Sequence, residues 1–205
     1  MTISSNMTRS SILILSISTA ITAGIVYAWS PHLAQALALE ESPIAWLQSS
    51  LLVACACAAG FRAMMTPPAE AVQKLRGPLP WAALALLLVL AALDERFMFH
   101  ERVQDFILFE LLGGDPSLKR LSQAAILAYA VAGVGVVLWL RQAMSAPAWR
   151  WCRAGIAVGF AGIAMDATFD SVSVQVFEEL LEAGAETLFL CGLFMEASTQ
   201  GYRRS

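Results

Sequence analysis

The sequence lacks most of the motifs by which soluble enzymes are recognised. It has two histidines and four cysteines in 205 residues, and only 14% of its residues are charged. The cysteines have neither the paired spacing of a zinc site nor the pattern of a disulfide framework. Phosphate loops, dinucleotide fingerprints and nucleophile elbows are absent. A basic stripe interleaved with aromatic residues is also missing, so nucleic acid is not expected as a partner.

Apolar residues make up most of the chain instead. Hydrophobic residues account for 58% of it, and its mean hydropathy is +0.65. A membrane-spanning helix needs about 20 predominantly apolar residues. Six segments reach that length if polar interruptions are allowed: 10–30, 41–62, 79–104, 121–141, 149–170 and 175–198. The sequence therefore predicts an all-α integral membrane protein, a six-helix transmembrane bundle that forms one domain over residues 1–205.

The segment between the third and fourth predicted helices is too apolar for a soluble loop. Phe106, Phe109 and Leu111 are typical of a segment that lies at the membrane surface. Gly113 favours a helix end, because glycine readily adopts the left-handed backbone found there. We therefore predict an interfacial segment that lies across the mouth of the bundle as a lid.

Three glycines in the fifth predicted helix predict close packing against a neighbouring helix. Gly155, Gly159 and Gly162 recur at or near the spacing of small residues that lets two membrane helices approach each other. We interpret this glycine face as structural.

Lysine and arginine are divided unequally between the two ends of the predicted bundle. Nine lie at the end that holds both termini, and four lie at the other end. The positive-inside rule then places both termini in the cytoplasm, with a bacterial inner membrane as the expected location. Arg9 and the apolar run after it also permit a signal peptide with cleavage near Ala36 or Ala38. Such cleavage would leave the other helices unchanged.

The acidic residues are distributed in the opposite way. Fourteen of the sixteen fall at the predicted outer end, and several lie within apolar helices. By helical rise, Asp94 lies about 21 Å, and Asp166 and Glu186 about 25 Å, from the cytoplasmic ends of their helices. An ionisable side chain at membrane depth is costly, so it usually faces a partner, a metal or a water-filled cavity. We therefore expect these carboxylates to converge in the outer half of the bundle.

An oxygen-rich cluster with at most one imidazole suits Fe(II), Mn, Mg or Ca better than Cu or Zn. The Glu-x-x-His motif of di-iron bundles is absent, so the identity of the metal stays open. His100 and Glu101 are the predicted catalytic pair, since an imidazole beside a carboxylate can move a proton. The predicted ligands of the divalent metal are Asp94, Glu101, Asp166, Asp170, Glu182 and Glu186.

Three functions remain open at this stage. The leading one is a membrane enzyme acting on a lipid-like or small apolar substrate, since phenylalanines at 97, 99, 106 and 109 would cover the site. The second is a cation or proton transporter or channel, in which the same acids form a relay. Little polar sequence at the cytoplasmic end, apart from Glu196, Gln142 and the basic loops, argues against transport. Glu196 is expected to extend its carboxylate toward the membrane surface or to pair with Arg203. The third is a non-catalytic membrane scaffold subunit. The reaction and the oligomeric state are not predicted.

Overall fold

A computed structural model describes residues 2–29, 42–66, 77–111, 113, 124–166 and 172–203. Within these ranges the chain forms seven α-helices, one π-helical turn and no strand, so the all-α prediction is confirmed for them. The helices are α1 (Thr2–Trp29), α2 (Pro43–Met65), α3 (Pro78–Phe97), α4 (Phe99–Asp105), α5 (Ala124–Leu140), α6 (Ala146–Asp166) and α7 (Val172–Arg203), with the π-helical turn Phe106–Leu111 after α4.

Three of the described helices are long and apolar enough to cross a membrane. They are Ser10–Ala28 within α1, the whole of α2 and the whole of α3. A shorter apolar stretch, Val131–Leu140, lies in α5. Five glutamates interrupt the apolar sequence of α7, so composition alone does not identify it as a membrane span. The three apolar helices are compatible with a membrane location.

The ends of α2 follow from its local sequence. The Ser42 hydroxyl oxygen accepts a hydrogen bond from the Ala45 backbone N–H at 3.1 Å, which caps the first turn. Pro43 follows at the first helical position, where its missing N–H costs nothing. At the other end, the Thr66 hydroxyl donates to the backbone carbonyl of Arg62 at 2.9 Å.

The prediction of one continuous helix over 79–104 is wrong. Met98 has φ 52° and ψ 43°, in the left-handed region, and it separates α3 from α4. That conformation is uncommon for a residue other than glycine, and it costs on the order of 1–3 kcal/mol. Because the helix is interrupted, Asp94 and Glu101 do not share one continuous helical stripe. The predicted helix end near Gly113 agrees with its φ of 69°.

Helix α7 is the centre of the described fold. It packs against α6, α2 and α1, and α3 packs in turn against α2 and α5. The main apolar core lies among these helices and includes Cys55, Trp81, Leu140, Cys152 and Leu193. A residue on the inner face of α7 is therefore surrounded by other helices.

Helices α6 and α7 approach closely because small residues face each other. A Cβ added to Gly155 would lie 2.8 Å from the Ala185 carbonyl oxygen, and one added to Gly192 would lie 2.9 Å from that of Ala148. Both distances are too short for real atoms. Added Cβ atoms at Gly159 and Gly162 would meet α7 at ordinary contact distances of 3.6 Å and 3.7 Å. The prediction of a closely packed glycine face is confirmed, most sharply at Gly155.

Replacing Gly192 with valine is expected to lower the free energy of unfolding by about 1–3 kcal/mol, because the added atoms overpack a close backbone contact. Thermal unfolding of the detergent-solubilised protein measures this. Gly135→Val is the matched control, since a Cβ at Gly135 meets no described atom within 4 Å. If both variants lost the same amount of stability, the close contact between α6 and α7 would not contribute to the free energy of unfolding.

Candidate functional site

Two polar clusters lie within the bundle, toward opposite ends of α7. The glutamate cluster consists of Gln48, Glu95, Glu179, Glu182 and Glu186. The arginine cluster consists of Arg62, Thr66, Trp81, Ser145 and Glu196. On α7 the two are separated by a segment that contributes Cys191 and Leu193, both buried, to the protein interior.

The glutamate cluster joins α7 to α2. Helical spacing puts Glu179, Glu182 and Glu186 on one side of α7. Gln48 of α2 is fully buried against them. Its amide nitrogen donates to a carboxylate oxygen of Glu182 at 3.2 Å and to the backbone carbonyl of Glu179 at 3.5 Å. The amide thus holds the two helices together at the level of the carboxylates.

Several carboxylates of the cluster are close enough to interact electrostatically. Glu186 interacts with Glu95 of α3 and with Glu182 and Glu179 on its own helix. The Oε2 atom of Glu186 and the Oε1 atom of Gln48 are inaccessible to solvent, and neither has a hydrogen-bond partner among the described residues. Buried polar atoms without partners are costly. The described part of this cluster therefore has more hydrogen-bond acceptors than hydrogen-bond donors.

Helix α6 approaches the same cluster. A Cβ added to Gly162 would lie 3.8 Å from Cγ of Glu182 and 3.9 Å from the carbonyl oxygen of Glu178. Asp166 lies one helical turn beyond Gly162, on the same face of α6. Helix α6 therefore reaches the glutamate cluster at Gly162, beside Glu182.

The structure brings together two of the predicted metal ligands, Glu182 and Glu186. Asp94 is half-buried on α3, and its neighbour Glu95 interacts electrostatically with Glu179 and Glu186 of α7. The side chains of His100, Glu101 and Asp166, and the whole of Asp170, lie outside the described residues. Among the side chains that are described, no three of His, Cys, Asp and Glu form a group able to hold a metal ion. The six-ligand set stays a prediction.

Sequence reasoning left Gln48 and Glu95 out of the site. Gln48 had a usable signal, because it is a polar residue within the apolar stretch of α2. Glu95 lies next to Asp94, and the two differ by about 100° around the helix. Choosing between them required the orientation of α3 against α7, which local sequence does not contain.

The arginine cluster closes the other end of the described bundle. Nε of Arg62 lies 3.6 Å from Oε1 of Glu196, and each side chain is only 4% exposed. The other carboxylate oxygen of Glu196 accepts the Ser145 backbone N–H at 2.7 Å, just before α6 begins. The Arg62 guanidinium also lies 5.2 Å from the centre of the Trp81 ring. Glu196 therefore ties α7 to the end of α2 and the start of α6.

The predicted partner of Glu196 was Arg203, whose side chain lies outside the described residues. Glu196 is instead buried, and it forms its ion pair with Arg62. The expectation that the Glu196 side chain extends out of the bundle is wrong, because α7 packs against α2 and carries Glu196 inward. Its pairing with Arg203 stays a prediction. Gln142, another polar residue at this end, is exposed.

Aromatic side chains are exposed around the turn between α3 and α4. Phe97 and Phe99 are each 49% exposed, and their ring centres lie 5.7 Å apart. Phe106 and Phe109, in the π-helical turn, are 56% and 60% exposed. Nearby, the Arg96 guanidinium lies 4.2 Å from the centre of the Trp46 ring. Large apolar side chains are thus presented outward beyond the end of α3 that carries Asp94 and Glu95.

Comparison with known proteins gives a family but no function. No curated protein and no solved structure matches this chain. One family profile matches residues 12–197, a range that contains both polar clusters. The chain belongs to that family, which is described as a domain of unknown function, DUF8692.

Proposed function

We propose that this protein is a six-helix, multi-pass membrane protein whose glutamate cluster binds a divalent cation. In this proposal the protein lies in a bacterial inner membrane with both termini in the cytoplasm, and the cluster is in the outer half of the bundle. The cation supports enzymatic chemistry on a lipid-like or small apolar substrate. The observation that carries the proposal is the unpartnered Glu186 oxygen among neighbouring carboxylates.

The excess of acceptors favours a cation. Carboxylates that approach one another in a low-dielectric interior repel unless a proton, a basic side chain or a metal compensates them. Hard divalent cations take carboxylate and amide oxygens as ligands. The unpartnered oxygens of Glu186 and Gln48 are of these two types. A bound cation would supply the missing partner of the Glu186 oxygen and relieve the repulsion.

The described glutamates alone do not complete a coordination shell, so further ligands are needed. We assign them to Asp94, Glu101, Asp166 and Asp170. Gly162 packs beside Glu182, and Asp166 lies one turn farther along α6, which supports its inclusion. His100 and Glu101 would transfer protons at the site.

An apolar substrate follows from the exposed aromatic side chains. Phe97, Phe99, Phe106 and Phe109 form an apolar surface beside the end of α3, and such a surface favours contact with lipid or with an apolar molecule. A substrate held there would lie close to Glu95 and Asp94. We therefore propose that this surface acts as the lid of the site.

Elemental analysis of the purified protein tests the cation site. We expect about one equivalent of Fe, Mn, Mg or Ca in the wild type. The metal should be lost in Glu182→Ala. It should also be lost in Glu182→Gln, which keeps the volume of the side chain and removes its charge. Glu110→Ala, at an exposed position, is the matched control and should retain the metal. Equal metal content in all four proteins would contradict the proposal, as would its absence from the wild type.

Transport of protons or cations is a second candidate, favoured by one observation. Glu196 is a buried carboxylate at the opposite end of α7 from the glutamate cluster, where the transport hypothesis needs a polar group. The packed side chains of Cys55, Cys152 and Leu193 argue against an open path. Cation or proton flux into proteoliposomes that is lost in both Glu182→Gln and Glu196→Gln would make transport the better assignment. A flux equal to that of protein-free vesicles would exclude the transport function.

A further inference from the structure

A lateral groove runs between α1 and α7. It has a cavity volume of about 370 Å³, within the usual range of ligand clefts. Leu15, Thr19 and Val26 line it from α1, and Leu180 and Thr187 line it from α7. The α7 residues of the groove interleave along the helix with Glu179, Glu182 and Glu186. The groove and the glutamate cluster therefore lie at the same height, on different faces of α7.

The groove is closed at one end. Ser11 and Cys191 are both fully buried there, and the Cys191 thiol donates to the Ser11 backbone carbonyl at 3.3 Å. From this contact the groove extends along both helices to Val26 and Leu180, near the end of the bundle that carries the glutamate cluster. A linear molecule lying in the groove would therefore have its far end near Leu15 and its near end at the level of the acids.

The lining is chemically apolar despite its hydroxyl groups. Thr22 donates its hydroxyl hydrogen to the Ser18 carbonyl at 2.9 Å, and Thr187 donates to the Ala183 carbonyl at 2.8 Å. These hydrogens are used within their own helices and are not offered to a ligand. The remaining lining atoms are mainly methyl and methylene groups. Hydrocarbon suits this surface better than a polar ligand does.

The length of the groove fits one leaflet of a bilayer. Leu15 and Val26 are about 16 Å apart along α1 by helical rise, close to half of a hydrocarbon core of roughly 30 Å. Helix α1 is one of the apolar helices, and only 11% of its membrane-spanning window is buried in the protein. Hydrocarbon chains are therefore the medium around it when it spans a bilayer.

We infer that the groove between α1 and α7 binds one acyl chain of a membrane lipid, drawn from the leaflet at the glutamate end. The inference of an acyl-chain site rests on the proposed membrane placement of α1 and α7, and not on the bound cation. It deepens the proposed function by giving the apolar part of a lipid-like substrate a defined position beside the acids. The closed end at Ser11 and Cys191 sets the depth that the chain reaches.

Photolabelling of the full-length protein in phosphatidylcholine vesicles tests this inference. The probe is a phosphatidylcholine with a diazirine at the end of one acyl chain. We expect cross-links to concentrate near Leu15 and Thr187, where the closed end holds the chain terminus. Ala23→Phe, which fills the groove from α1, should reduce this labelling several-fold. Ala20→Phe is the matched control: it is exposed on the same helix, does not line the groove and should label like the wild type.

Three results would overturn the inference. Labelling of every face of α1 at that depth would show ordinary lipid contact without a site, because the ends of unbound acyl chains also lie near the bilayer centre. Equal labelling of Ala23→Phe and Ala20→Phe would show that the groove is not the binding site. Thermal unfolding of both variants would first establish that they are folded. A disulfide formed between two chains that each carry Ala23→Cys, with loss of the lipid labelling, would assign the groove to a second copy of the protein. Labelling of Glu182→Gln separates the proposals, because the acyl-chain site should persist there even when the cation is lost.

Discussion

Replacing Glu196 with alanine is expected to lower the free energy of unfolding by about 3–5 kcal/mol, because Arg62 is then left buried without its ionic partner. Both side chains are only 4% exposed, so solvent screens the lost interaction weakly. The same change removes the acceptor of the Ser145 backbone N–H at the start of α6. Denaturant unfolding of the detergent-solubilised protein, followed by loss of helical signal, measures the effect.

A double variant separates the ion pair from simple loss of packing. Arg62→Met combined with Glu196→Leu removes both charges and keeps apolar volume, so it should recover most of the stability lost in Glu196→Ala. Buried ion pairs are often replaceable by apolar residues at little cost, whereas one unpaired buried charge is not tolerated. Glu110→Ala, at an exposed carboxylate, should change stability very little. If the double variant is as unstable as Glu196→Ala, the cluster contributes through its detailed hydrogen bonding and not through charge pairing.

The sequence predicted well that these segments are α-helical, because apolar periodicity and helix-end residues are local signals. Gly113 marks a helix end, and the glycines of α6 mark the face that packs against α7. The interruption at Met98 was missed. Nothing in the residue type favours a left-handed backbone there, and only the packing of the surrounding chain can hold it.

The two polar clusters differ in how far the sequence predicted them. Helical spacing predicted that Glu182 and Glu186 lie on one side of the last helix, and the structure brings those two together. The sequence alone could not identify Gln48 as part of the cluster, because the contact between Gln48 and Glu182 depends on the rotation of α2 against α7. Arg62 and Glu196 are far apart in sequence, and each taken alone resembles an ordinary charged residue near a helix end. Pairing between distant helices is therefore the information that single-chain patterns lack.

Replacing Glu186 with glutamine is expected to raise the free energy of unfolding by about 1 kcal/mol in cation-free buffer, since functional sites often sacrifice stability of this order. The substitution keeps the side-chain shape and removes one charge from a group that includes Glu95, Glu179 and Glu182. The Cys55 thiol contact to the Glu186 backbone carbonyl, at 3.7 Å, does not depend on the carboxylate and should persist. Thermal unfolding in the presence of a chelator measures the gain.

Adding a divalent cation should reverse the order of stability. A cation that binds the folded state contributes about 2.7 kcal/mol at 100 times its dissociation constant, so the wild type should then become the more stable protein. Glu186→Gln should show little of this increase, because it has lost a ligand oxygen and part of the negative charge. Glu110→Gln, outside the cluster, should respond to the cation like the wild type. A Glu186→Gln protein that is less stable than the wild type even without cation would make Glu186 a structural residue. The unpartnered oxygen would then no longer support a cation site, because its carboxylate would already be satisfied within the fold.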